Sequence, residues 1–461
     1  MSYFWVSVEK IGLLLIRLVL IIVLSRFLTP NDFGLFAMVN FIVVFSNIII
    51  DSGLSGALIQ KKNISNIYYN TTFTFNIVIS LLLSSIIYLS ATYISVFYNQ
   101  YELENIVKVL AMTIFIKSLA TTQIAIMTKH LQFKLQTIIF LLSAIISTII
   151  GILIAINGYG YWSLIYIQLI ESLLIVIFFW AISNYRPKLQ FSTSCFINLY
   201  SFGGRLMLSS IISAAYSNII NIIIGKKFGS NATGYYFQAQ RISDLYNNTL
   251  TLIVDKTIFP TLSKCESKEE LYHKSKAIIP TLCLVAFSFP TFIFLNSKEI
   301  VHIVLGNGWE YAANILPILI ASSYGLIIES YLRCFMKSLG EGKIILQLEI
   351  IKRFIGITLL IISSSYGLTP LIYTVLLLSI LNALINIWST SKILQKKIID
   401  ILSLSIKALA INITLLIFLS YIFRFINGDL IKLLFSASII FPIPLYYIVK
   451  IYREKNDKKQ R

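Results

Sequence analysis

Apolar runs of bilayer length recur along almost the whole chain, near 10–28, 34–58, 70–96, 106–127, 136–156, 161–182, 198–224, 234–259, 277–296, 313–336, 344–363, 367–390, 401–423 and 430–449. Each is on the order of 20 residues, the length at which an α-helix crosses a hydrocarbon core about 30 Å thick. Spans of this kind must satisfy their own backbone polar groups, so the chain reads as an all-α polytopic membrane protein of about fourteen transmembrane helices. No hydrophilic connection is long enough to fold by itself, which places the chemistry inside the bilayer. Composition agrees, with 57% hydrophobic and only 13% charged residues. The formal net charge of +18 would point to nucleic acid in a soluble protein. Here the basic residues sit in short segments between the runs, where they report orientation and argue against a nucleic-acid partner.

Those segments are lopsided. One side of the spans holds Lys10, Lys61, Lys62, Lys129, Lys134, Arg186, Lys188, Lys264, Lys268, Lys274, Lys276, Lys337, Lys343, Lys392, Lys396, Lys397 and the six basic residues from Lys450 to Arg461. The other side holds Arg26, Lys226, Lys227, Lys298, Arg424 and Lys432. The positive-inside rule then puts both termini in the cytoplasm, as an even number of spans requires. The expected organisation is an N-terminal six-helix lobe (1–183), a cytoplasmic inter-lobe connection (184–197), a second six-helix lobe (198–391), two extra spans (392–449) and a basic cytoplasmic tail (450–461).

The division into two lobes rests on an internal repeat. RFLTPNDFGLF (Arg26–Phe36) after the first run and KKFGSNATGYY (Lys226–Tyr236) after the seventh align Gly34 with Gly234, an offset of 200 that carries on through Asn40 with Gln240 and Asn47 with Asn247. Tyr159-Gly160 and Tyr366-Gly367 continue the series at an offset of 207. Six spans followed by six in the same orientation form a parallel repeat, an arrangement in which transporters place their site at the repeat interface.

One run is charged where lipid would forbid it. In GYYFQAQRISDLYNNTLTLIVDKTIFP (Gly234–Pro260), Arg241, Asp244, Asn248, Thr251 and Asp255 fall on one helical stripe, with Ile242, Leu245, Leu252 and Ile253 largely off it. Ionisable groups at membrane depth cost a few kcal/mol or more unless paired or wetted, so the stripe is expected to line a polar cavity. A re-entrant or surface helix is the alternative.

Several stretches together resemble the polysaccharide transporters, the Wzx-like flippases of lipid-linked oligosaccharides in the multidrug/oligosaccharidyl-lipid/polysaccharide exporter superfamily. They are RFLTPNDFGLF, DSGLSGALIQKK (Asp51–Lys62), Gln123 with the basic turn Lys129–Lys134, GYGYWSL (Gly158–Leu164), IIGKKFGSNATGYYFQAQRI (Ile223–Ile242), FPTLS (Phe259–Ser263) and GNGWEYAANIL (Gly306–Leu316). The resemblance implies two six-helix lobes around a central cavity, alternating access, and movement of an undecaprenyl-diphosphate-linked glycan from the inner to the outer leaflet of a bacterial plasma membrane. It also implies membrane lipids, a coupling H⁺ or Na⁺ and the polysaccharide polymerase machinery as partners.

A diphosphate crossing the membrane interior calls for fixed cations, and Arg suits phosphate through its planar, bidentate donors. Arg17, Arg205 and Arg241 are therefore the leading substrate-cavity candidates, joined by Lys117, Asp51, Asp244, Asn248 and Asp255. Each carries a structural alternative as well: a packing ion pair for the arginines, a snorkelling role for Lys117, and neutralisation of Arg241 by Asp244 and of Lys256 by Asp255. The carboxylates Asp51, Asp244 and Asp255 are also candidates for carrying protons. Glu329 with Arg333, and Glu349 with Lys352 and Arg353, have the spacing of structural ion pairs within their own helices. Four cysteines and three histidines form no ligand motif, so neither a metal nor any other cofactor is expected. Two other classes stay open: an exporter of another amphipathic substrate or a peptidoglycan-precursor flippase, and a membrane glycan polymerase or ligase. The second would be expected to show a large extracytoplasmic loop or a soluble catalytic domain.

Overall fold

The computed structural model describes residues 2–61, 64–426, 428–447 and 449. Lys62 and the basic tail 450–461 lie outside the described residues. In order the helices are α1 (Ser2–Phe27), α2 (Pro30–Asp51), α3 (Leu54–Gln60), α4 (Asn66–Leu89), α5 (Ala91–Tyr98), α6 (Glu102–Lys129), α7 (Phe133–Ile156), α8 (Trp162–Ile182), α9 (Thr193–Leu262), α10 (Lys268–Leu295), α11 (Ser297–Val304), α12 (Glu310–Ser338), α13 (Gly342–Ser363), α14 (Leu368–Leu394), α15 (Ile398–Ile422) and α16 (Asp429–Ile440). Among the described residues, eleven helices are long and apolar enough to cross a membrane. The 70-residue α9 is two spans joined end to end, because Gly229 leaves helical geometry (φ 82°, ψ −178°). With that division, and with the charge-bearing α1 and α13 counted, the long helices coincide with the fourteen apolar runs.

By contact, the chain forms two compact units, 1–237 and 238–461. In the first, the joint between α1 and α2 explains the first landmark motif. Thr29 caps α2, with the Asp32 N–H donating to its hydroxyl (3.4 Å) and its own N–H donating to the Asp32 carboxylate (2.8 Å), while Pro30 fills the first helical position. The second Asp32 oxygen accepts the Tyr161 N–H at 3.0 Å, which ties the GYGYW turn to the start of α2. Two hundred residues later Gly229 makes the corresponding joint alone, at the position aligned with Thr29.

The two joints touch. A Cβ at Gly34 would overlap the Ser230 carbonyl, and a Cβ at Gly234 would overlap the Pro30 carbonyl. Positions 30 and 230, like 34 and 234, are separated by the repeat offset, so the crossing of α2 with the second leg of α9 (230–262) is locally pseudo-two-fold. Asn31 and Ser230 share a hydrogen bond across it.

Without water to drive helices together, packing relies on small and polar residues. Ser80 of α4 and Ser118 of α6 meet at 2.8 Å, and α7 presents buried Ser143, Ser147, Thr148 and Gly151. The segment between α8 and α9 is bound to the first unit rather than hanging free. Asn70 donates to the Gln190 side chain (2.8 Å) and accepts from the Lys188 N–H (3.0 Å), the Ser192 N–H donates to Thr71 (3.1 Å), and Ser183 donates to Gln123 (2.6 Å).

The second unit is built on α10, α12, α14 and α15. Its core joins Leu250, Val254 and Ile258 of α9 to Ile279, Cys283 and Phe287 of α10, Tyr331 and Phe335 of α12, and Ile401, Leu404 and Ala408 of α15. The fifteenth helix is thus part of the core although it lies outside the sequence repeat. Polar contacts reinforce it, with Thr291 donating to Asn412 (3.0 Å) and Asn296 to Ser436 of α16 (2.9 Å).

Candidate functional site

Three helices of the first unit each carry a charge near mid-length: Arg17 on α1, Lys117 on α6 and Glu171 on α8. Lys117 and Glu171 are half-buried and Arg17 is exposed. Glu171 and Arg17 both lie within electrostatic reach of Lys117. No salt bridge of 4 Å or less closes among the three. Two cations facing one carboxylate leave a net charge of +1 that is not locked into a close pair. Positive charge held near mid-span without a tight partner is suited to a mobile anion. Glu171 escaped the sequence reading, although a lone carboxylate inside an apolar run is itself the signal.

Arg205 lies exposed on the first leg of α9 (193–228), and nothing joins it to this group. Asp51 ends α2 and accepts hydrogen bonds from Ser55 and from the Gly53 backbone, so it shapes the turn into α3. That places it at a helix end, away from the depth of Arg17 and Lys117.

In the second unit, the second leg of α9 carries three faces. Leu250, Val254 and Ile258 are buried in the core; Leu252 and Ile253 are exposed apolar residues; Arg241, Asp244, Asn248, Thr251 and Asp255 form the stripe between them. The exposed Asp255 pairs with Lys337 of α12 at 2.9 Å, in place of the expected neighbour Lys256. Asp244 is half-buried on this stripe. The ring of Tyr246 stacks on Phe289 at 6.0 Å, and its hydroxyl is near the Ala286 carbonyl as a hydrogen-bond donor. That hydroxyl is therefore engaged within the unit. Cysteines at Asn248 and Asp255 are expected to react with a small hydrophilic thiol reagent in intact membranes, while cysteines at Leu250 and Val254 stay protected. Uniform protection along the stripe would contradict a wetted face.

The other charged group spans two helices. Lys352 of α13, with only 4% of its side chain exposed, donates to Glu329 of α12 at 2.6 Å and to Glu349 at 2.8 Å. Arg353 reaches Glu349 at 3.7 Å. The Glu349 pairs follow helical spacing, whereas Glu329 bonds across to Lys352 and not to Arg333. An ammonium with three donors can satisfy two carboxylates at once, and a buried carboxylate left without a cation is costly. Among the described residues, no group of three or more His, Cys, Asp or Glu comes together that could hold a metal ion.

Comparison with known proteins fits this architecture. The profile of the polysaccharide biosynthesis protein family matches residues 23–314. The chain is 22% identical over 353 residues to the succinoglycan biosynthesis transport protein ExoT of Rhizobium meliloti (strain 1021), covering 76% of this chain and 71% of that protein. It is 25% identical over 330 residues to the teichuronic acid biosynthesis protein TuaB of Bacillus subtilis (strain 168), covering 68% and 66%. Against the lipopolysaccharide biosynthesis protein WzxC of Escherichia coli (strain K12) the identity is 21% over 390 residues, covering 83% and 78%. Among solved structures, the lipid II flippase MurJ in an inward closed conformation superposes with a TM-score of 0.77 at 14% identity, over 98% of this chain and 99% of that one. An inward-facing MATE family transporter of the MOP superfamily gives 0.62 at 15% identity, over 86% and 98%. These two likenesses establish a shared fold. Because the family profile extends from the end of α1 into α12, through both joints of the repeat and the charged stripe, the chain belongs to the polysaccharide biosynthesis protein family.

Proposed function

We propose that this protein is a flippase that moves undecaprenyl-diphosphate-linked oligosaccharide repeat units from the inner to the outer leaflet of the bacterial plasma membrane by alternating access. The observation that carries the reading is the Arg17–Lys117–Glu171 group in a chain whose relatives are named for polysaccharide biosynthesis and transport. A diphosphate is the common, anionic part of such substrates, and a net-positive group near mid-span meets it without reading the sugar. In this reading Arg17 and Lys117, with Arg205, serve the diphosphate in the first unit, while the Arg241–Asp255 stripe wets the path of the glycan in the second. The repeat halves 1–183 and 198–391 act as the two lobes, and the Lys and Arg bias sets both termini in the cytoplasm. A coupling H⁺ or Na⁺ and the polymerase machinery that consumes flipped units are the partners this function requires. The protein acts as a transporter and leaves the covalent structure of the glycan unchanged.

The experiment is complementation. Expressed in a flippase-null strain that makes the matching repeat unit, the protein restores surface glycan. Cytoplasmic-leaflet accumulation of the lipid-linked unit, despite normal protein in the membrane fraction, would refute the proposal.

A further inference from the structure

The surface of the first unit carries an open groove of about 570 Å³ between α4 and α6. Leu81, Leu89, Met112, Phe115 and Ile116 make it apolar. From residue 81 to residue 89 the helix rises about 12 Å, close to the depth of one leaflet of a core about 30 Å thick. Its two ends differ chemically. At the end nearest the 90–101 connection, Tyr88 lines the groove, the Lys108 ammonium lies 5.8 Å from the centre of its ring, and Lys108 is bonded to Glu104 at 2.7 Å. Both partners of that pair are about one-third exposed (31% and 33%), so each keeps bonding capacity toward the surface. One turn below Tyr88, Ser84 lines the groove with 9% exposure, and its hydroxyl has no hydrogen-bond partner.

We propose that this groove is a binding site for a zwitterionic phospholipid of the phosphatidylethanolamine type, with one acyl chain in the groove, the phosphate at Lys108 and the ammonium at Glu104. The acyl chain matches an apolar slot one leaflet deep. An ammonium has three donors and a carboxylate two acceptor oxygens, so the Lys108–Glu104 pair opens to a second, complementary pair without a change in net charge. An anionic lipid gains only Lys108 and is repelled by Glu104. On the topology proposed above, this site belongs to the outer leaflet.

The test is native mass spectrometry of the full-length protein in detergent with phosphatidylethanolamine or phosphatidylglycerol added at equal concentration. Phosphatidylethanolamine is expected to be retained about tenfold better, the difference one charge-assisted contact makes. Glu104→Gln should bring the two lipids to near equality, and Ser85→Trp, placed on the exposed wall of the groove, should remove both. Because Glu104 is a surface residue, its variant keeps the test valid even where the tryptophan variant fails to fold. Equal retention of the two lipids by the unaltered protein, retention unchanged by both substitutions, or displacement by a polyprenyl phosphate at lower concentration would each overturn the proposal.

Discussion

Gly34→Val and Gly234→Val are each expected to reduce surface glycan to background. At both positions the neighbour is a backbone carbonyl, of Ser230 and of Pro30 respectively, which no rotamer change can move aside. Accommodating the side chain forces α2 and the second leg of α9 apart and breaks the Asn31–Ser230 hydrogen bond. Overpacking of a core typically costs about 1–3 kcal/mol, and a clash against main chain falls at the upper end or beyond. Alanine should produce the same defect in milder form. Since both glycines serve one crossing, the double alanine variant should fall short of the sum of the two singles. Gly342→Ala is the control, because nothing lies within 4 Å of its Cβ position and its backbone is that of an ordinary residue. Melting temperature in detergent and glycan display are the measurements. Valine variants that melt and display like the unaltered protein would show that the crossing tolerates separation.

That crossing also marks how far the sequence could be read. The offset of 200 between Gly34 and Gly234 was legible in one sequence, but that the two copies press against each other was not. A repeat specifies equivalent positions and leaves their contacts to tertiary packing. The helical spans were legible because bilayer length and hydropathy are local properties. The joint at Gly229 was less so: KKFGSNAT reads as a polar connection, while the chain remains helical on both sides of a single left-handed glycine.

Charge pairing shows the same limit. Helical spacing anticipated Glu349 with Lys352 and Arg353, since those partners are separated by three or four residues on one helix. It assigned Glu329 to Arg333 and Asp255 to Lys256, whereas their bonded partners, Lys352 and Lys337, lie on other helices. Spacing rules see one helix at a time. Glu171 was missed for a related reason: an isolated carboxylate has no sequence neighbour to draw attention to it, and its meaning comes from Lys117 and Arg17 on two other elements.

Arg17→Ala should abolish flipping while leaving the protein in the membrane. Arg17 is exposed and bonded to no carboxylate at salt-bridge distance, so its removal leaves no buried anion unpaired and costs little stability. What it removes is a charge-assisted grip on phosphate, worth about 1.5–3 kcal/mol, or roughly a tenfold to hundredfold loss in affinity. Lys117→Ala should be more damaging to stability, because it leaves the half-buried Glu171 facing only Arg17. Arg17→Lys distinguishes charge from geometry: partial display means that point charge suffices, and none means that the two-pronged guanidinium is required. Glu171→Gln acts in the opposite sense. It raises the net charge of the group from +1 to +2, so lipid-linked substrate should be held more tightly and released more slowly, with accumulation of bound substrate and reduced display. The Lys117→Ala/Glu171→Gln double variant separates folding from function, since it removes the half-buried carboxylate together with its facing ammonium and leaves Arg17 as the group's one cation, so protein level should hold while glycan display falls. Surface glycan in a flippase-null strain, normalised to protein in the membrane fraction, is the readout. If Arg17→Ala and the double variant accumulate normally and display glycan at the unaltered level, the group has a packing role and the diphosphate is met elsewhere.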